Sequence, residues 1–293
     1  MHPLAFEEPT LISAPLAHAA AARLCRKDVE HGADCSWYHG AWQYFRALGL
    51  VSDPTVHRAV LLSSLRELAR TGQHPRVLIS GATDYSLLAH VLRAYQLEDA
   101  QLTASAVDIC ATPLYLSKWY ADRLGADITT SVVDILDYQA PQPFDVICTH
   151  AFLGYFDATG RRRLIAQWKN LLRPGGRVVT IQRIRPDYTD EIVRFSAEHA
   201  RSFRMRVLEE ATKQQEHLDI IPEVIAAMAQ VYAERFWGYP VKSQNELADL
   251  FTAGGFCLEQ FSTLTLDTHR SAQNAGPTIP SHAEFVHVVA SRI

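Results

Sequence analysis

Gly81 and Asp108 are the residues whose types and spacing point first to chemistry. Gly81 lies in the turn Ser80-Gly81-Ala82-Thr83-Asp84-Tyr85, directly after the apolar run Val77-Leu78-Ile79. Asp108 ends the next apolar run, 27 residues further on. A tight turn between a strand and a helix leaves backbone N–H groups free to meet a ligand. A carboxylate closing the neighbouring strand, at an offset of about 20 residues, accepts hydrogen bonds from ribose hydroxyls. The pair implies a nucleoside cofactor. His150 follows a strand expected at 144–149, at the sheet edge where open α/β folds bind ligands. It reads either as a general base or substrate positioner, or as a structural histidine. Arg183 and Arg185 follow a strand expected at 177–182. They read as a bidentate clamp for a substrate carboxylate or as solvated surface.

The elements that must position these groups follow from periodicity. Residues 10–72 read as helices, with apolar residues at helical spacing over 55–70 and an exceptionally aromatic stretch, Trp37-Tyr38-His39-Gly40-Ala41-Trp42-Gln43-Tyr44-Phe45. From 76 to 184 short apolar strands alternate with amphipathic helices, which argues for a parallel sheet covered on both faces. Strands are expected at 76–80, 102–108, 128–133, 144–149 and 177–182. Residues 187–236 carry helical patterns with no strand between them and read as an insertion, closing by residue 240. A helix over 246–251, stopped by Gly254-Gly255, then leads to two closing strands at 256–266 and 284–291. The polar 267–281 stretch reads as the loop joining them. The expected organisation is an N-terminal helical lid over 1–73 and a core domain over 74–293 carrying the insertion 187–240.

Composition narrows the function. The 293 residues allow a core plus a cap, and 32 acids against 28 bases give a net charge of −4. That balance supplies no general pull toward nucleic acid, which needs dense Lys/Arg patches. Arg161-Arg162-Arg163 reads as a solvated helix face. No apolar run approaches the roughly 18 to 20 residues a membrane span requires, and no signal-peptide pattern opens the chain. The cysteines, Cys25, Cys35, Cys110, Cys148 and Cys257, are odd in number and widely spaced, without a C-x-x-C pair. Neither a disulfide framework nor a metal site is expected, and a reducing cytoplasm fits best. Cys110 and Cys148 read as small core residues.

Over residues 74–293 the chain resembles the class I S-adenosylmethionine-dependent methyltransferase family. The motifs are the strand-one turn at Gly81, the acid Asp108, Val133-Asp134-Ile135 after strand three, Leu171-Leu172-Arg173-Pro174-Gly175-Gly176 before strand five, and Leu250-Phe251-Thr252-Ala253-Gly254-Gly255-Phe256. The resemblance implies a doubly wound, mostly parallel seven-stranded α/β sheet with an antiparallel closing hairpin. It implies S-adenosyl-L-methionine as cofactor, held by Ser80, Gly81, Ala82, Asp84, Asp108, Ile109, Asp134, Ile135 and His150. The first turn departs from the family pattern. Ile79 replaces the usual acid, and Thr83 and Tyr85 replace two glycines, so Asp84 is expected to supply a carboxylate and Tyr85 to lie near the methionine part. Aromatic faces attract a sulfonium cation, and Tyr38 and His39, with polar tips, are the candidates in the lid. The catalytic candidates are thus His150, Tyr38, His39 and Tyr85. The leading function is methyl transfer to a small metabolite, in secondary metabolism. The degenerate turn and Trp37-Tyr38-His39-Gly40 are also similar to azetidine-2-carboxylate synthases, which implies the alternative of cofactor cyclisation with release of methylthioadenosine. A non-catalytic binding module is the third reading. Thr149-His150-Ala151-Phe152 stands where nucleic-acid-modifying members carry an N-P-P-Y-like segment. An exposed aromatic N-terminus would serve as the seam of a homodimer.

Overall fold

The computed structural model describes residues 8–25, 34–73, 75–186, 188–264 and 284–293. Seven strands form one sheet among these residues: β1 (Arg76–Ser80), β2 (Thr103–Asp108), β3 (Ile128–Val132), β4 (Phe144–His150), β5 (Leu172–Ile184), β6 (Phe256–Leu264) and β7 (Glu284–Arg292). The order is β3-β2-β1-β4-β5-β7-β6, with β7 antiparallel to both neighbours. Strand order reverses beside β1, so a crevice opens at the carboxyl ends of β1 and β4, where Gly81 and His150 stand. The expected doubly wound sheet with its closing hairpin is therefore the observed one. The 267–281 stretch lies outside the described residues.

Helices cover both faces. On one side α3 (Arg58–Arg70), α4 (Ser86–Leu97) and α5 (Ala111–Leu124) bury Leu61, Leu65, Leu88, Val91 and Leu116 against Val77, Ile79 and Val146. On the other, α6 (Ala158–Leu171) and α9 (Gln244–Ala253) bury Trp168, Leu164 and Phe251 against Leu78, Ile147 and Val178. Local signals set the ends. Asp157 and Ser243 accept the backbone N–H of Gly160 and Glu246 as N-caps, and Gly125 ends α5 in the left-handed region at φ +65. Strand β5 is longer than expected because the Pro174-Gly175-Gly176 turn is absorbed within it. Phe144 pairs with Leu172 and Val146 with Arg177, so the extra residues bulge out of the ladder.

A third core joins the two helical additions. The N-terminal α1 (Thr10–Leu24) and α2 (Ser36–Ala47) pack against α7 (Ala197–Lys213) and α8 (Pro222–Arg235) through Trp42, Tyr44, Phe45, Phe203, Ile225 and Tyr232. The aromatic segment is thus spent inside the chain, which removes the exposed seam on which the expected dimer contact rested. Arg161 is also not on a solvated face. It is buried, donating to the Leu153 and Tyr239 carbonyls and to Glu246.

Candidate functional site

The β1 turn is shaped by Gly81, whose φ of +74 is a conformation that side chains resist. Its N–H donates to the Val107 carbonyl at 3.0 Å. A Cβ on Gly81 would fall 2.3 Å from the Phe152 ring, so the ring closes over the glycine. Gly81→Ala should cost about 1–2 kcal/mol from backbone strain, plus whatever displacement of Phe152 adds. Gly49, at φ +70 with open space around it, is the control. Urea unfolding of Gly81→Ala and Gly49→Ala should show the larger loss at position 81; equal losses would mean that Phe152 yields freely.

Asp108 ties three turns together. Its Oδ2 accepts the Ala82 N–H at 3.0 Å and its Oδ1 the Cys110 N–H at 2.8 Å, while its carbonyl accepts from Val133. Burial pushes the carboxyl up to about 6, against the pull of nearby His39 and of the two N–H donors. Ile109, beside it, is an apolar side chain left exposed. Asp134 is exposed and accepts the Leu136 N–H at 2.9 Å, and Ile135 is buried under it. Ser80 turns the other way, accepting the Trp168 indole N–H at 3.0 Å.

Asp84 and Tyr85 need correction. Asp84 is buried with both oxygens engaged: Oδ1 accepts the Ser86 N–H at 2.5 Å, and Oδ2 takes the Trp42 indole N–H at 2.8 Å and faces Arg46 at 3.3 Å. It lines the cavity but is committed to α2, so it is no free partner for a ligand amine. Tyr85 does not reach the cavity at all. It is fully buried in the core, stacked on Tyr120 at 4.6 Å with its hydroxyl on Ser13. The residue after Asp84 falls on the inner side of the turn, and the glycine that the family carries there is replaced by a core ring. His39 is misplaced by the sequence too. Its Nδ1 lies 3.4 Å from Cys25 Sγ, directed away from the cavity.

What the sequence missed is Arg46. Its guanidinium, with 1% of the side chain exposed, ion-pairs with Glu8, Asp53 and Asp84. Those contacts draw α2, the segment before α1 and the Asp53 turn onto the β1 turn.

The cavity, partly open to solvent, runs from Gly81, Ala82 and Thr83 past His150 to Arg183 and Arg185. Tyr38 forms one wall, clustered with Trp42 at 5.4 Å and Tyr232 at 5.6 Å, rings that lie 6.4 Å from each other, and its hydroxyl accepts from Tyr155 at 3.4 Å. Trp237 and Tyr239 of the insertion complete it. His150 Nε2 lies 3.1 Å from His57 Nδ1. Burial, reinforced by that second imidazole, lowers His150 to about 3, so it is neutral at working pH. The peptide after it is strained, with Ala151 at φ +52. Arg183 Nε and Nη2 are buried with no hydrogen-bond partner among the described residues. Burial, then the like charge of Arg185, lowers its guanidinium to about 9.

This sheet order, hairpin and edge cavity are the fold of the class I S-adenosylmethionine-dependent methyltransferases. Among solved structures the chain is similar to the 4+2 cyclase SpnF, at 12% identity and a TM-score of 0.54 over 97% of this chain and 93% of that one. It is similar to magnesium protoporphyrin IX methyltransferase from Synechocystis PCC 6803 with bound S-adenosylhomocysteine, at 11% identity and a TM-score of 0.51, covering 88% of this chain and 96% of that one. A third is the 1,6-didemethyltoxoflavin N1-methyltransferase of Burkholderia thailandensis, solved with its substrate and S-adenosylhomocysteine, at 14% identity and a TM-score of 0.51 over 79% and 78%. No protein-family model matches the chain, and no curated protein matches it in sequence. Among the described residues no helix is long and apolar enough to cross a membrane.

Proposed function

We propose that the chain is an S-adenosylmethionine-dependent enzyme that transfers a methyl group to a small metabolite carrying a carboxylate or similar anion. The observation that carries this reading is the cavity that starts at the Gly81 turn and ends at Arg183, a buried cation with unused donors. Bound S-adenosylmethionine supplies an electrophilic carbon on a sulfonium centre. Asp108, held by two N–H groups and flanked by exposed Ile109, would take the nucleoside end, with Asp134 and Ile135 beside it. Tyr38, Trp42 and Tyr155 offer aromatic faces to a cation, each worth about 0.5–2 kcal/mol when desolvated. Arg183 and Arg185 would align the anionic acceptor, so that proximity does most of the catalytic work. His150, neutral and 3.1 Å from a His57 that burial likewise lowers to about 4, would position the acceptor by hydrogen bonding and not store its proton. Helices α1 and α2 act as the lid.

A second reading, cyclisation of the cofactor to azetidine-2-carboxylate, is favoured by one observation. The carboxylates lining the cavity, Asp53 and Asp84, are both engaged by Arg46. The site therefore offers no spare acid to hold an amine as its ammonium, and a neutral amine is what attack on the γ-carbon needs. Nitrogen would bond to that carbon, the carbon–sulfur bond would break, and methylthioadenosine would leave with the electron pair. The test is incubation with S-adenosylmethionine alone and then with candidate anionic acceptors, followed by mass spectrometry of the nucleosides. S-adenosylhomocysteine that forms only with an acceptor supports methyl transfer. Methylthioadenosine formed without one supports cyclisation, and neither product under any condition overturns both.

A further inference from the structure

Three of the five cysteines, which the sequence spacing gave no reason to group, meet at one point with His39. Cys25 ends α1, Cys35 caps α2, His39 follows one turn along the same helix face, and Cys110 caps α5 directly after Asp108 and Ile109. Cys25 Sγ lies 3.6 Å from Cys110 Sγ, Cys35 Sγ lies 3.5 Å from Cys110 Sγ, and Cys25 Sγ lies 3.4 Å from His39 Nδ1. All four ligand atoms lie within 4.8 Å of one another. These sulfurs are too far apart for disulfide bonds, which need about 2.05 Å. They fit another object. A tetrahedral zinc ion with Zn–S of about 2.3 Å and Zn–N of about 2.05 Å sets sulfur–sulfur edges near ~3.8 Å and sulfur–nitrogen edges near ~3.5 Å.

We propose that Cys25, Cys35, His39 and Cys110 form a structural zinc site. Three soft sulfurs and one imidazole are the donor set that zinc takes in closed four-coordinate sites. The position supplies the rest of the argument. Cys25, His39 and Cys110 are buried, and Cys35 is half-buried, so the four ligands leave no open coordination position toward the cavity. The Thr112 hydroxyl lies 3.2 Å from Cys25 Sγ and can donate to it, the kind of outer hydrogen bond that orients a thiolate ligand. The protein arms come from three helices, the consecutive α1 and α2 and the distant α5. One ion would therefore pin both N-terminal helices to the start of α5, in the crossover from β2 to β3. Cys110 also donates its N–H to Asp108 Oδ1, so the pin lies one hydrogen bond from the carboxylate at the cofactor edge. His39 is then a ligand and not a catalytic group.

The test needs no knowledge of the reaction, so it stands or falls apart from the methyltransferase reading. The full-length protein, produced with zinc in the medium and purified without chelators under reducing conditions, is measured by inductively coupled plasma mass spectrometry. One zinc per chain is expected, falling at least tenfold in Cys110→Ser and in His39→Ala, and unchanged in Cys257→Ser, an exposed cysteine remote in sequence. Because the ligand variants can fail to fold, the wild-type protein is also stripped and titrated with cobalt(II). A saturable signal at one equivalent, with thiolate-to-cobalt charge transfer and the intense visible bands of a tetrahedral site, supports the assignment. Substoichiometric zinc with no such spectrum overturns it, as does a Cys25–Cys110 or Cys35–Cys110 disulfide in acid-quenched protein.

Discussion

Replacing Arg46 by methionine should destabilise the protein by about 3–5 kcal/mol, the usual cost of removing one partner from a buried ionic group, and lower its melting temperature by roughly 10 °C. Methionine keeps much of the side-chain volume, so the loss is one of charge. Glu8, Asp53 and Asp84 would remain in a buried pocket without their counter-ion. Burial raises the Glu8 carboxyl even with Arg46 present. Burial alone would raise Asp53 as well, but the Arg46 charge outweighs it and holds that carboxyl below the ordinary range. The sign of the pH dependence follows. Asp53, depressed in the folded state, contributes stability above its unfolded pKa, and that contribution is lost as pH falls through the folded value. In Arg46→Met the Glu8 and Asp53 carboxyls lose the charge that lowers them and rise, so protonation relieves the variant, and its deficit should shrink between about pH 7 and about pH 5. Urea unfolding at the two pH values measures this. An equal deficit at both would assign the loss to packing. Arg46→Lys should recover only part, because a single ammonium cannot match a fork that reaches three acids.

The sheet was legible in the sequence because most strands are short apolar or alternating runs punctuated by Gly, Pro or an acid, and those signals are local. Asp108 was legible for the same reason: its type and its distance from Gly81 are enough to assign it to the edge where it is found. The additions were harder. Periodicity marks Trp42 and Phe45 as apolar and leaves Arg46 looking like a solvent residue, since nothing nearby shows that three acids converge on it from Glu8, Asp53 and Asp84. Tyr85 was misread because side-chain direction in a turn depends on φ and ψ, which the family's glycines set differently. The cysteine–histidine set had one visible trace, Cys35 and His39 at a spacing of four on one helix face, the geometry by which paired ligands share an ion. Its other two members lie across a helix connection and a crossover, and only the fold brings them together.

Arg183→Met is expected to act in opposite directions on stability and on ligand binding. A guanidinium whose folded pKa, about 9, lies below its ordinary value is penalised in its charged form throughout the neutral range. Removing it relieves buried donors that have no partner, a gain of about 2 kcal/mol and roughly 5 °C in melting temperature. The same donors are what would hold a carboxylate, and losing such a buried charge contact costs about 2–4 kcal/mol, or roughly 30- to 1000-fold in affinity. Which affinity falls separates the two chemistries. If Arg183 holds the acceptor, binding of S-adenosylmethionine by calorimetry should be unchanged while turnover with the acceptor collapses. If it holds the cofactor's own carboxylate, as folding of the aminocarboxypropyl arm back on itself would require, S-adenosylmethionine affinity itself should fall. A variant less stable than wild type, with both affinities intact, would mean that the guanidinium serves only to pack over Phe285, 5.7 Å from the ring centre. The clamp would then have to be sought at Arg185, which lines the same cavity and stands against Tyr188.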